Sequence, residues 1–103
     1  KAVALITYMR NNLSSVSLER LADYFSLSRE RIAVIFATYL GTNYSDLIKN
    51  MRIEKSVTLL INSSLSCLEI ATELGFSSAE HFSRVFKTWT GLTPTAYRMQ
   101  KKR

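Results

Sequence analysis

Residues 66–91, SCLEIATELGFSSAEHFSRVFKTWTG, carry two helical signals back to back. Ser66 and Glu69 stand at the Ser-x-x-Glu spacing of a capping box, in which a hydroxyl and a carboxylate each satisfy an orphan backbone N–H at a helix start. Ile70, Ala71 and Leu74 follow at helical spacing, and Gly75 supplies a residue that ends a helix easily. Ser77 and Glu80 repeat the box, which predicts a second helix reaching about Thr90 with Gly91 as its stop. A short helix, a tight turn and a longer helix make a helix-turn-helix, and the small Ala71 lets the second helix cross the first closely.

The same pattern stands upstream. Leu21-Ala22, Phe25, Leu27 and Ser28 match Ile70-Ala71, Leu74, Phe76 and Ser77 at an offset of 49. Ile32, Phe36 and Gly41 match Phe82, Phe86 and Gly91 at an offset of 50, which places one inserted residue at the start of the second copy's longer helix. Ser17 caps a helix from Leu18 to about Phe25, and Ser28 caps one from Arg29 to about Leu40. Serine-capped helical hairpins occur in any bundle, but two aligned copies point to a unit used twice.

The rest of the 103 residues fits around these copies. A first helix is expected over about 2–12. The longest helix starts behind Ser45, carries Asp46 in its first turn and runs to about Asn62. Its apolar seam is Leu47, Ile48, Met51, Val57, Leu60 and Ile61, with Lys49, Arg52 and Lys55 as cations. Pro94 opens a last short helix through Met99. The expectation is an all-α fold of seven helices, one domain over 1–103. It comprises a first helix-turn-helix subdomain (1–44), a linker helix (45–62) and a second helix-turn-helix subdomain (63–103). One proline and three glycines supply too little punctuation for a β sandwich or barrel.

The longest apolar run, Ile32 to Ala37, is far below the roughly 20 residues that cross a bilayer. A single cysteine, Cys67, forms no intrachain disulfide and fits a reducing compartment, where it reads as an inert half-buried thiol. No secretory signal is visible, and Lys1 in place of Met suggests a piece of a longer chain. A cytoplasmic, nucleoid-associated location follows as an expectation.

Fourteen Lys and Arg against eight Asp and Glu give a net charge of +6, so an anionic partner is expected. Nucleic acid and anionic membrane both meet that condition. The charges favour the longer helices as the anion-facing elements: the two shorter helices sum to −3 and the two longer to +2. In a helix-turn-helix the second helix enters the DNA major groove. The alternative class is a basic helical module for protein or membrane, which gives no reason for the duplicated turn unit. An enzyme is not expected: the chain has no glycine-rich phosphate loop, no paired catalytic acids and no nucleophile with an evident base.

Several motifs resemble the DNA-binding domain of AraC/XylS-family transcription regulators. In the second copy these are Ile70-Ala71, Leu74-Gly75-Phe76-Ser77, His81-Phe82-Ser83-Arg84-Val85-Phe86-Lys87, Gly91-Leu92-Thr93-Pro94 and Tyr97-Arg98. The first copy matches more loosely through Leu18, Leu21-Ala22, Ser28, Phe36 and Leu40-Gly41, and Met51-Arg52-Ile53-Glu54-Lys55 with Leu59-Leu60 resembles the family's linker helix. The resemblance implies seven helices and two helix-turn-helix units that place two helices in successive major-groove segments of double-stranded DNA. It also implies RNA polymerase as a partner if the protein activates, and an effector-sensing or dimerisation domain outside this segment. No membrane partner is expected.

Within that frame Ile32 and Phe36 are core anchors, which turns Glu30, Arg31, Ala33, Val34 and Ala37 toward the open side. By resemblance Glu30, Arg31, Ala33 and Val34 face the groove. Arg31 can donate to guanine O6 and N7, Glu30 can accept from cytosine N4, and Ala33 or Val34 can meet a thymine methyl. Ala33-Val34 departs from the polar pairs often found there, and packing of both against a neighbour is the structural alternative. For Glu30 the alternative is pairing with an arginine.

In the second copy Phe82 and Phe86 are the anchors, leaving Ala79, Glu80, His81, Ser83, Arg84 and Lys87 for the DNA side, with Arg84 foremost. Glu80 competes as the capping acid, and a lone histidine such as His81 is more often a partly buried, hydrogen-bonded structural residue than a ligand. Phosphate contacts are expected from Ser17, Ser28, Ser66 and Ser77 at helix starts and from the cations Arg52, Lys55, Lys87 and Arg98. Phe76, Trp89 and Tyr97 are expected in the second core, and Lys101-Lys102-Arg103 as a frayed tail. One histidine and one distant cysteine do not make a zinc site, so no metal and no cofactor are expected.

Overall fold

The computed structural model describes residues 1–101; Lys102 and Arg103 of the expected tail lie outside the described residues. Every regular element among them is helical: α1 (Ala2–Asn11), α2 (Leu18–Phe25), α3 (Arg29–Leu40), α4 (Tyr44–Asn62), α5 (Cys67–Leu74), α6 (Ala79–Thr90) and α7 (Pro94–Lys101). The chain divides into two compact units, Lys1–Asn50 and Met51 onward, so the division falls inside α4.

In the first unit α1, α2 and α3 pack on one another. Leu5 and Met9 of α1, Leu21 of α2 and Ile32 and Phe36 of α3 are buried, with Val16 closing the loop side. These residues recur at helical spacing, so each helix buries one stripe and leaves the rest in water. In the second unit α5 packs on α6 and α6 on α7. Phe76, Phe82, Phe86 and Tyr97 form a run of ring contacts with centroids 5.2, 5.7 and 5.4 Å apart. Trp89 is not part of it: the indole sits on the outer side of α6, 43% exposed. The seam expected along α4 is also revised, since Ile53 is buried while Leu47, Val57 and Ile61 are half-buried, and buried Ser56 donates to the Ile53 carbonyl at 2.7 Å.

The caps show why the elements begin where they do. Ser17 and Ser28 accept from the N–H groups of Arg20 and Arg31 at 3.1 and 3.0 Å, and the Ser66–Glu69 box closes in both directions. Two expected caps move. Asn43, not Ser45, caps α4: its Oδ1 accepts from the Asp46 N–H at 2.9 Å, and Asn competes with Ser as a cap. Ser78, not Ser77, caps α6, accepting from the His81 N–H at 3.0 Å, so the Ser77–Glu80 box does not form. Ser77 instead meets His81 Nδ1 at 3.2 Å.

This shift corrects the repeat. The helices α2 and α5 align at an offset of 49 and α3 and α6 at 50, so the extra residue lies in the turn rather than in the longer helix. Both turns start alike, with Ser26 (φ 54°) and Gly75 (φ 87°) in the left-handed region. The following N–H groups of Leu27 and Phe76 reach back to the carbonyls of Ala22 and Ala71 at 3.0 and 2.9 Å, the bond that closes a helix end of this kind. Ser26 is the one non-glycine at positive φ among the described residues. A Cβ there carries a cost that glycine avoids, so Ser26→Gly is expected to stabilise the first unit by about 0.5–1 kcal/mol. Urea unfolding checks it; a lower midpoint would show that the serine side chain holds the turn.

Candidate nucleic-acid interface

The core anchors fix which sides of α3 and α6 face solvent. With Phe82 and Phe86 fully buried, α6 exposes Glu80, Arg84, Lys87 and Thr88, four residues at helical spacing on one stripe. Ala79, His81 and Ser83 border that stripe, half-buried. Glu80 has no cap to serve and makes no hydrogen bond or ion pair among the described residues. His81 is held in place by Ser77 and by an edge-on contact with Phe76, ring centroids 5.7 Å apart, which orients its ring against the turn.

With Ile32, Ile35 and Phe36 buried, α3 exposes Glu30, Arg31, Ala33, Val34, Ala37 and Thr38. Val34 is 57% exposed, so packing against a neighbour does not account for it. Arg31 stands at the rim of the face, lining a cleft of about 340 Å³ with Lys1, Val3 and Tyr39. Glu30 is unpaired among the described residues; the arginine–acid pair here is Arg29 with Glu19, at 2.6 Å and well exposed. Such a pair contributes little to stability, ~0–1 kcal/mol, but it neutralises a cation beside the N-terminus of α3.

The phosphate candidates separate by what else they hold. Ser17, Ser28 and Ser66 are caps, which leaves first-turn N–H groups of α2, α3 and α5 near the surface. Ser77 is an exposed turn residue bonded to His81. Lys55 and Lys87 are exposed. Arg52 is half-buried with its guanidinium 5.9 Å from the Phe76 ring centre. Arg98 donates through Nε to the Leu60 carbonyl at 3.0 Å and through Nη2 to the Ser63 carbonyl at 3.2 Å, so it closes the C-terminal end of α4.

Sequence reasoning missed Ser78 and Asn43 as caps and did not set Tyr39 and Trp89 side by side. Those two rings stand at equivalent positions of α3 and α6, both exposed, and the offset of 50 was the signal that pairs them. Among the described residues no three His, Cys, Asp or Glu come together as a metal site. No helix among them is long and apolar enough to cross a membrane.

Comparison with known proteins agrees with this geometry. A helix-turn-helix domain family matches residues 21–100. The chain is 37% identical over 92 residues to the HTH-type transcriptional regulator YfiF of Bacillus subtilis, covering 88% of this chain and 29% of that protein. It spans about a third or less of the length of the relatives it matches. Among solved structures it resembles the C-terminal domain of AraT, a response regulator from Geobacillus stearothermophilus. That likeness has a TM-score of 0.92 and 26% identity, covering 98% of this chain and 85% of that one. It also resembles an AraC-type DNA-binding-domain regulator from Chromobacterium violaceum, with a TM-score of 0.87 and 30% identity over 96% of this chain and 89% of that one. With the duplicated turn unit and the matched stretch in agreement, this chain belongs to the helix-turn-helix domain family, in its AraC/XylS type.

Proposed function

We propose that this chain is the sequence-specific, double-stranded DNA-binding part of a bacterial transcription regulator, and that both of its units bind. The observation that carries the reading is the pair of equivalent helices, α3 and α6. Each is anchored by buried residues at matching positions and each turns an unpartnered stripe to solvent. In this reading α3 and α6 occupy successive major-groove segments, with half-sites about 10 base pairs apart. Glu30, Ala33, Val34, Glu80, Ser83 and Arg84 face base edges, with Ala79 and His81 at the margin of the second set. Arg31 at the rim, Lys55, Lys87, Ser77 and the starts of α2, α3 and α5 face phosphate, whereas Arg98 and Arg52 serve the second unit's own packing. RNA polymerase, for an activator, and an effector or dimerisation domain elsewhere in the protein are the further partners of this reading, at the nucleoid in the cytoplasm.

Selection from random duplexes followed by footprinting tests it. One chain is expected to protect two half-sites on one face of the selected duplex and to prefer it strongly over scrambled DNA. Inserting five base pairs, about half a helical turn, between the half-sites should remove protection at one of them. Equal binding to scrambled duplexes would favour a general basic module, and a single protected half-site would make one copy merely structural.

A further inference from the structure

We propose that the two units divide base readout by chemistry: α3 selects thymine 5-methyl groups through Val34, flanked by Ala33 and Ala37, while α6 selects a hydrogen-bonding base edge through Arg84. This rests on the DNA reading above.

The argument comes from register. At an offset of 50 the exposed stripes superpose residue on residue, Glu30 on Glu80, Val34 on Arg84, Ala37 on Lys87 and Thr38 on Thr88, and exposed Ala33 falls on Ser83, half-buried at the stripe's border. The ends of the stripe agree, and its centre does not. Where α6 places a hydroxyl and two cations, α3 places three small apolar side chains, all exposed. Val34 is 57% exposed on a helix whose opposite side is fully packed, so it is available to a partner and does no work in the core.

The nearby cations do not fill that gap. Arg29 is held by Glu19 at 2.6 Å, and Arg31 lies at the rim beside Lys1, Val3 and Tyr39. The centre of the α3 face therefore has no side-chain donor for guanine O6 and N7. In the major groove one base alone presents an apolar group, thymine with its C5-methyl, and burying that methyl against a branched aliphatic side chain removes both from water. Ala33 and Ala37 on either side are short enough to let the helix approach. Glu30, still an acceptor, then suits a cytosine N4 or adenine N6 amino group at an adjoining pair. The centre of α6 reads the other way, since Arg84 offers the forked donor that suits guanine.

Deoxyuridine supplies the test, because it removes the methyl and keeps every hydrogen-bonding group. Each dT of the selected duplex is replaced singly, and binding is measured for the unaltered protein and for V34A and R84A. At one or more thymines the replacement is expected to weaken binding about fourfold, the factor for one buried methyl-sized group. In V34A the same replacement should have an effect below about twofold, because the methyl's partner is already gone. In R84A the thymine effect should persist, with discrimination lost at a different base pair. Both residues are exposed, so neither variant threatens the fold, which a helical circular-dichroism spectrum confirms. Indifference to deoxyuridine at every thymine, or sensitivity that V34A leaves intact or R84A abolishes, overturns the division of readout while leaving DNA binding standing. If no duplex is preferred over scrambled DNA, the DNA reading falls and this inference with it.

Discussion

Raising the salt from 50 to 200 mM should weaken DNA binding by about 500-fold, with a log–log slope near −4.5 if about five phosphates are neutralised. The physical basis is counterion release. Duplex DNA holds a condensed layer of cations, and each phosphate met by Lys, Arg or a helix start frees some of them, a gain that shrinks as bulk salt rises. The chain's net charge of +6 supplies the means, and it is uneven. Six cations against four acids leave +2 in the first unit, and eight against four leave +4 in the second. Removing exposed Lys87, beside Arg84 on α6, should therefore flatten the slope by about one and weaken all duplexes alike. A slope near zero would remove phosphate from the contact list and with it the DNA reading.

Phe86→Ala should destabilise the second unit by about 3–5 kcal/mol, a large share of the ~5–15 kcal/mol that holds a small domain folded. The ring is fully buried between Phe82 and Tyr97, edge-on to both at 5.7 and 5.4 Å. Truncation leaves a cavity that α6 and α7 cannot close without moving their other side chains, and it also removes two aromatic contacts. Because Phe86 anchors the phase of α6, the stripe bearing Arg84 and Lys87 loses its support as well. Hydrogen exchange in α5 to α7 with urea unfolding checks this, and a loss below about 1.5 kcal/mol would mean that the core reseals and the ring does not fix the helix. Phe36, equally buried at the matching place in α3, predicts a comparable loss confined to the first unit.

Most of the architecture was legible because the signals that specify a helix are local. Apolar residues three and four apart mark the buried stripe, a serine hydroxyl marks a start, and Gly41, Gly75 and Gly91 mark ends, each of them left-handed in the structure. These cues gave α2 and α3 to the residue and named Ile32, Phe36, Phe82 and Phe86, all fully buried. They also showed the duplication, which no single helix could.

What local signals leave degenerate, packing decided. Ser77 and Ser78 are equally good caps by their own chemistry, and a capping box at Ser77–Glu80 was as well formed on paper as the one at Ser66–Glu69. Seating Phe76 against Phe82 at 5.2 Å and His81 across the turn places the start of α6 one residue later. That shift moves the inserted residue into the turn and frees Glu80, while Val34 keeps the register with Arg84 that the offset of 50 between Ile32 and Phe82 already gives. Periodicity also could not tell Trp89 from a core ring, or Arg98 from a surface cation. Whether an aromatic side chain is covered depends on which helix lies above it, and whether a guanidinium reaches water depends on a carbonyl 35 residues away in sequence. Sequence thus determined the elements and their buried faces, because those follow from the chain's neighbours. The tertiary structure decided where the second turn ends and α6 begins, and which cations remain exposed, because those follow from contacts that helical periodicity does not encode.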